Sequence, residues 1–466
     1  MFERFRSGRS QGPDERALKA LISACERLIG EAGESVGLGI ARQILKSYSA
    51  LSLDLKNQFF KAIAEGFNPD PSQVEQAARR YAQSQDPKDL IKMVADAQPP
   101  RQELFRRLNR VPEGCAALVK MRESLLQSLA KDRSLKAVDS DLEHLLASWF
   151  NPGFLRLEQI SWESPAGLLE QIIQHEAVHE IDGWADLRRR LEPDRRLFAF
   201  FHPALPKEPL IFVEVALLHE MPNSIAPLLD RKSRPEPSTK PYKVAAFYSI
   251  SNCQPGLKGV HLGNFLIKQV AEALQSEFPD IRQFCTLSPI PGFVRWLLSN
   301  EPFSRDALTE KVWLRLEDRR RQVLARAQSL SAASDFARLA QDEGLRLSIV
   351  SLGAAFLGHV SSSPRQADPV ARFHLHNGAR LERINDQADL SVKGLKQSLG
   401  LMVNYLYDLP SIEENHDAFL RGDIARSKLV ADLINRSRVL SVFITKTYEE
   451  SSNFVLLSRH PITKLG

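Results

Sequence analysis

The chain has 466 residues, 43% of them hydrophobic and 26% charged, which is ordinary for a soluble protein of about two or three domains with substantial cores. A net charge of +5 is too small a bias to argue for nucleic acid, and neither an apolar run long enough to span a membrane nor the apolar core of a secretion signal is present. Cys25, Cys115, Cys253 and Cys285 lie far apart without C-x-x-C spacing, which indicates neither a zinc ribbon nor a disulfide framework and fits a reducing cytoplasm.

Residues 14–150 place apolar residues at helical intervals between Asp, Ser, Pro and Gly breakers, with no strand pattern. ERALKALISACERLIGEAG, LKNQFFKAIAEGF, PSQVEQAARRYAQ, RQELFRRLNRV, AALVKMRESLLQSLAKD and VDSDLEHLLASWF each predict a helix, so the segment reads as a helical bundle. Gly37-Leu38-Gly39 within it reads as close helix packing, and Asn151-Pro152-Gly153 breaks the pattern.

QIIQHEAVHEIDGWADLRRRL, residues 171–191, predicts a helix that carries His175-Glu176-Ala177-Val178-His179. That is the H-E-x-x-H spacing, which sets two histidines on one helix face toward zinc with the glutamate as base. Three fixed positions recur by chance and no convincing third ligand follows, so a structural or substrate-flanking helix is the better reading. Two apolar strands follow, about 196–202 and 209–218, joined as a hairpin. Residues 232–241 are polar and Pro-rich and predict an exposed loop.

Lys243 to Ile250 is β-branched and aromatic and predicts a buried strand. QPGLKGVHLG comes next, and Gly263 to Phe278 is spaced as an amphipathic helix. A glycine-bearing loop entering a helix lets main-chain N–H groups approach an anion such as a pyrophosphate. The spacing is neither a P-loop nor the dinucleotide fingerprint, and taken alone it reads more readily as a tight turn.

Ser288, in Leu287-Ser288-Pro289-Ile290-Pro291-Gly292, stands where a strand ends and a proline-locked turn begins. After Trp296 helical patterns return, and Arg319, Arg320 and Arg321 predict a solvated helix face. Asp368 to Asn377 opens a helix with Pro369 near its N-terminus, Asp423 to Asn435 predicts another, and SVFITKTYEE predicts a strand near the end. The order predicts an α+β protein, an N-terminal all-helical bundle followed by a mixed sheet with additional helices. In isolation Ser288 reads more readily as a Ser-Pro turn, and His374, flanked by apolar residues, as a satisfied core histidine.

The words FYSISNCQPGLKGVHLGNFLIK, LSPIPGFVRWLL, DPVARFHLHNGARLERIN, NPGFLRLEQISW and HEAVHEIDGWADLRRRL run in one order from about Asn151 to Tyr407, and through them the chain resembles the malonyl-CoA decarboxylase family. The resemblance implies a helical oligomerisation domain over 1–152, forming a dimer or tetramer, and an acetyltransferase-like (GNAT-like) domain over 153–466 that binds malonyl-CoA. It implies a carboxy-lyase giving acetyl-CoA and CO2, with Ser288 and His374 as catalytic residues, and with Ser249, His261 and Tyr407 orienting the substrate or the catalytic pair. CoA would lie on Lys258, Gly259, Val260, His261, Leu262, Gly263 and Asn264.

His374 at its ordinary pKa near 6.5 would deliver a proton to carbon 2. No metal or organic cofactor is expected, because the thioester is itself the electron sink, and HEAVH is a family word in enzymes that are not zinc enzymes. Where animal relatives read GVELG this chain reads Gly259-Val260-His261-Leu262-Gly263, an imidazole in place of a carboxylate. Without a mitochondrial leader or a terminal Ser-Lys-Leu address, the chain is expected in a bacterial cytoplasm. A GNAT-type acyltransferase using the same loop, and a non-catalytic acyl-CoA-binding assembly, are the alternatives.

Overall fold

The computed structural model describes residues 12–31, 33–232, 240–260, 262, 266–299, 308–327, 332–360 and 368–435. The chain forms two compact units, 1–192 with 196–214 and 249–264, and 193–195 with 215–248 and 265–466.

The first unit begins with the helices Pro13–Gly30, Glu34–Ser49, Leu53–Gly66, Pro71–Ser84, Pro87–Ala97, Pro100–Asn109, Gly114–Leu129 and Lys136–Trp149. Their starts are set locally: Asp70 and Asp86 accept main-chain N–H groups at helices that open on Pro71 and Pro87. Leu21, Ile44, Phe59, Phe60, Phe105, Leu118 and Leu142 share one core, each such side chain contributing about 1.5–3 kcal/mol of burial. The pair Pro71–Ser84 and Pro87–Ala97 stands apart from this pattern, for Ala77 is its one buried residue. Ile91 (69% exposed) and Val94 (58%) face outward.

Beyond the bundle the unit continues with β1 (Arg156–Ile160), β2 (Arg195–Phe201), β3 (Ile211–Leu218) and β4 (Val244–Asn252), of which β2, β3 and β4 give residues to both units. β1 and β2 are antiparallel, Arg156 opposite Phe201. Leu169, Ile172, Leu187, Leu197, Phe201 and Phe212 form a second core against them.

The helix expected over 171–191 is two helices, Ala166–His175 and Gly183–Arg190. The chain leaves the helix at Glu176, whose carboxylate takes the N–H groups of Val178 (2.7 Å) and His179 (2.8 Å) that a continued helix would have given to carbonyls. His175 and His179 therefore do not stand one turn apart on one helix face, and the geometry that H-E-x-x-H needs is not formed.

In the second unit β5 (Gln283–Thr286), β6 (Ser288–Pro289), β7 (Arg380–Asn385) and β8 (Met402–Tyr407) follow. The order is β4-β5-β8-β6, with β7 also pairing β8. β4 and β5 are parallel, Val244 opposite Gln283, while β5, β6 and β7 each run antiparallel to β8. Helix-rich and mixed-sheet portions thus both occur, as the α+β reading expects. The helix after the glycine loop spans Leu266–Glu277. The expected strand at 441–450 lies outside the described residues.

The arginine run departs from expectation. Arg319 and Arg320 are buried, and Arg320 donates to the carbonyls of Trp296 (3.0 Å) and Leu297 (3.3 Å) with its guanidinium over the Trp296 ring. A planar, weakly hydrated cation can close the orphan carbonyls of a helix end, which a solvated-face reading overlooks. No helix among the described residues is long and apolar enough to cross a membrane.

The helix Pro369–His376 is followed by Asn377 and by Gly378 at φ +79°. A Cβ at Gly378 would lie 2.2 Å from the Ile412 carbonyl oxygen. Gly378→Ala is expected to lower stability by about 2–3 kcal/mol, read as an earlier urea midpoint at unchanged slope.

Candidate active site

Ser288 and His374 are brought together in the second unit. β5 and β6 keep one register against β8, Cys285 opposite Leu406 and Ser288 opposite Val403, with the ladder interrupted at Leu287. The interruption leaves Thr286 free to use its side chain, and its Oγ1 accepts the Tyr405 main-chain N–H at 3.2 Å. His374 comes from the Pro369–His376 helix. Its Nε2 lies 3.0 Å from Ser288 Oγ, and its Nδ1 lies 2.8 Å from the Tyr407 hydroxyl.

The hydrogen positions follow by elimination. Ser288 has one hydroxyl hydrogen and donates it to Thr286 Oγ1 at 2.9 Å. In its contact with His374 the serine therefore accepts, and Nε2 carries the hydrogen. A neutral ring protonated at Nε2 has a bare Nδ1, which accepts from Tyr407.

The ring is neutral because it is buried. His374 is 3% exposed, no carboxylate among the described residues bonds to it, and desolvation pushes its pKa down to about 3. This departs from the ordinary value near 6.5 that the sequence reading started from. Burial likewise holds the Tyr405 and Tyr407 hydroxyls well above their usual range, so both stay protonated.

Asp368 ties the two halves of this arrangement together. One carboxylate oxygen caps the His374 helix by accepting from Val370 and Ala371, and the other accepts the Gly292 N–H at 2.8 Å, in the turn that follows Ser288. Burial pushes its carboxyl up, against the three main-chain donors. Tyr405 stacks on the imidazole, centroids 4.5 Å apart. Its hydroxyl is buried and takes no hydrogen-bond partner among the described residues.

The other predicted residues lie in the first unit. Ser249 donates to the Glu176 carboxylate at 2.7 Å and lies 3.4 Å from Ser251, which also donates to Glu176. Its hydrogen goes to the buried carboxylate that ends the preceding helix. In the glycine loop Lys258 and Gly259 are exposed, while Val260 and Leu262 turn inward. Gly259 has φ +86°, a conformation that side chains rarely adopt. His261, Gly263 and Asn264 lie outside the described residues.

Thr286, Asp368 and Tyr405 were missed as site residues by sequence reasoning, and Glu176 was noticed only as the glutamate of the H-E-x-x-H spacing. Tyr405 had a signal, since period-two alternation puts it on the same strand face as Tyr407. Asp368 had one as well, an Asp-Pro at a helix start. Thr286 and Glu176 owe their places to contacts across the fold.

The malonyl-CoA decarboxylase C-terminal domain family matches residues 153–442, and the corresponding N-terminal domain family matches residues 67–150. The chain is 37% identical over 338 residues to the mitochondrial malonyl-CoA decarboxylase of Anser anser anser, covering 69% of this chain and 66% of that protein. It is 34% identical over 398 residues to the enzyme of that name from Rattus norvegicus, covering 80% of each. Among solved structures, malonyl-CoA decarboxylase from Rhodopseudomonas palustris superposes with a TM-score of 0.79 at 43% identity, covering 89% of this chain and 98% of that one. The one from Agrobacterium vitis gives 0.75 at 42% identity, covering 90% and 100%.

The buried neutral imidazole predicts how stability responds to acid. Its pKa is lower folded than unfolded, so the unfolded chain takes up the proton first, and stability falls as pH drops below about 6.5 toward 3. His374→Gln removes this contribution. Between pH 7 and pH 5 the variant should lose about 2 kcal/mol less stability than the wild type, measured by urea unfolding at both pH values.

Proposed function

The chain belongs to the malonyl-CoA decarboxylase family, and we propose from the pairing of Ser288 with His374 that it converts malonyl-CoA to acetyl-CoA and CO2 at this site. The observation that carries the reading is the 3.0 Å contact between a strand-end hydroxyl and an imidazole 86 positions away, both of them buried.

Malonyl-CoA holds a carboxylate one carbon from a thioester carbonyl. Breaking the bond from carbon 2 to the carboxyl carbon releases CO2 and leaves the electron pair as an enolate, its charge largely on the thioester oxygen. The thioester accepts those electrons, so the chemistry calls for no metal or organic cofactor. With substrate bound, the Ser288 hydroxyl would turn its hydrogen from Thr286 Oγ1, and His374 its Nε2–H from Ser288 Oγ, to that oxygen, and burial makes each such donor worth more than in water. Removal of water also favours the transition state, in which the carboxylate charge is dispersed.

Carbon 2 then takes the Nε2 proton. A thioester enolate is a stronger base than an imidazole anion, so a neutral imidazole is acid enough. A neutral histidine acting as electrophile has precedent in enolate chemistry. The Tyr407 hydroxyl, donating to Nδ1, stabilises the charge left on the ring, and a proton from water restores it.

CoA is proposed to lie on loop 258–264, where a positive-φ glycine exposes the main chain. What supports an acetyltransferase-like core is the parallel pairing of β4 with β5 around a strand, glycine loop, helix and strand in succession. A bacterial cytoplasm suits four thiols that are all buried. The helical portion is proposed to assemble copies of the chain into a dimer or tetramer through the outward face of the Pro87–Ala97 helix.

Purified protein given malonyl-CoA should release CO2 and acetyl-CoA in equal amounts. Ser288→Ala and His374→Ala should each lower kcat by about a hundred- to ten-thousandfold while remaining folded. Full turnover in either folded variant, or acyl transfer to an added amine without CO2, contradicts the reading. For the assembly, sedimentation should show a dimer or tetramer that Ile91→Asp with Val94→Asp dissociates; a wild-type monomer at micromolar concentration contradicts it.

A further inference from the structure

Arg122, on the Gly114–Leu129 helix, is 1% exposed and among the largest fully buried side chains of the protein. Burying a guanidinium is costly unless its charge and its donors are all matched. Its Nε donates to Asp139 at 2.9 Å and its Nη2 to Glu143 at 3.1 Å. Asp139 is shared with Lys136 at 2.8 Å. Two cations thus face two carboxylates, and the cluster carries no net charge to offer an anion.

What remains is Nη1, and it is spent on the glycine loop. It donates to the carbonyl oxygens of Gly256 (2.9 Å) and Lys258 (2.7 Å). A trans peptide points its N–H opposite to its carbonyl. Drawing the Lys258 carbonyl inward therefore turns the Gly259 N–H away from the arginine, at a stretch where Lys258 and Gly259 are exposed.

The loop is seated as closely as main chain allows. A Cβ on Gly256 would lie 2.0 Å from the Val119 carbonyl oxygen, and one on Gly259 would lie 2.7 Å from Glu143 Oε1. Both glycines press the loop onto the same two helices that supply Arg122 and its carboxylates.

We propose that Arg122 is a positioning residue for acyl-CoA binding, holding the carbonyls of Gly256 and Lys258 so that the Gly259 amide is presented to the CoA diphosphate. The inference rests on the assignment of loop 258–264 to that diphosphate. It gives the helical portion a part in substrate binding that assembly alone does not require.

The test compares malonyl-CoA with malonyl-pantetheine, which has the same reacting group and no diphosphate. Lysine at 122 keeps the charge that Asp139 and Glu143 need but cannot reach both carbonyls. In Arg122→Lys the KM for malonyl-CoA should rise about tenfold, with kcat little changed and malonyl-pantetheine handled as by the wild type. Gly256→Ala, which lifts the loop from Val119 without touching the charges, should have the same selective effect.

Equal losses on both substrates in the folded variants would show a general structural role and overturn the proposal, as would an unchanged KM. If the wild type itself does not favour malonyl-CoA over malonyl-pantetheine, the loop assignment fails as well. If it does, and Arg122→Lys keeps that preference, the assignment stands and the role of Arg122 alone is refuted.

Discussion

A hydroxyl, an imidazole and a phenol shut away from water have to satisfy one another, and that constraint decides the chemical state of the candidate active site. Ser288 gives its hydrogen to Thr286, so His374 must give its own to Ser288, and Tyr407 must give its hydrogen to His374. The chain runs in one direction and leaves the ring neutral with Nε2–H in place. An imidazolium there would need a buried counter-charge, and among the described residues no carboxylate bonds to the ring.

The rest of the second unit keeps that chain from relaxing. Asp368 caps the helix that carries His374 and holds the turn after Ser288, so one side chain fixes the separation of the pair. Tyr405 covers the ring face. Gly378 ends the helix by a turn that leaves no room for a side chain beneath it. These are positional devices, and they hold the groups that carry the donors in place so that little beyond the direction of two hydrogens has to change when charge develops.

Much of this was legible in the sequence, and what was not has identifiable physical causes. The bundle, the strand, glycine loop, helix and strand, and the helix behind Asp368 all announce themselves by periodicity and local capping chemistry. The helix over 171–191 did not form as read because Glu176 competes for amides three residues on, a local contest that apolar spacing does not register. Arg319 and Arg320 looked solvated because charge runs usually are, yet helix-end carbonyls drew Arg320 inward. Ser288 and His374 could be paired from the sequence only through the family resemblance, since no periodicity links positions 86 apart. Neither could the neutral state of His374 be read, because burial is a property of the assembled fold. The same holds for the grip of Arg122 on the glycine loop, made across more than 130 residues of chain.

The state of His374 in the free enzyme is open to direct measurement through the pH dependence of kcat/KM for malonyl-CoA, which reports the ionisations of the uncomplexed protein. A ring that stays neutral across the range, acting through its Nε2–H, predicts a level profile from pH 5 to pH 8. A profile that falls about tenfold per pH unit as pH rises, or that breaks near 6.5 with the break moving upward in Tyr407→Phe, would show that an imidazolium does the work and would contradict the account.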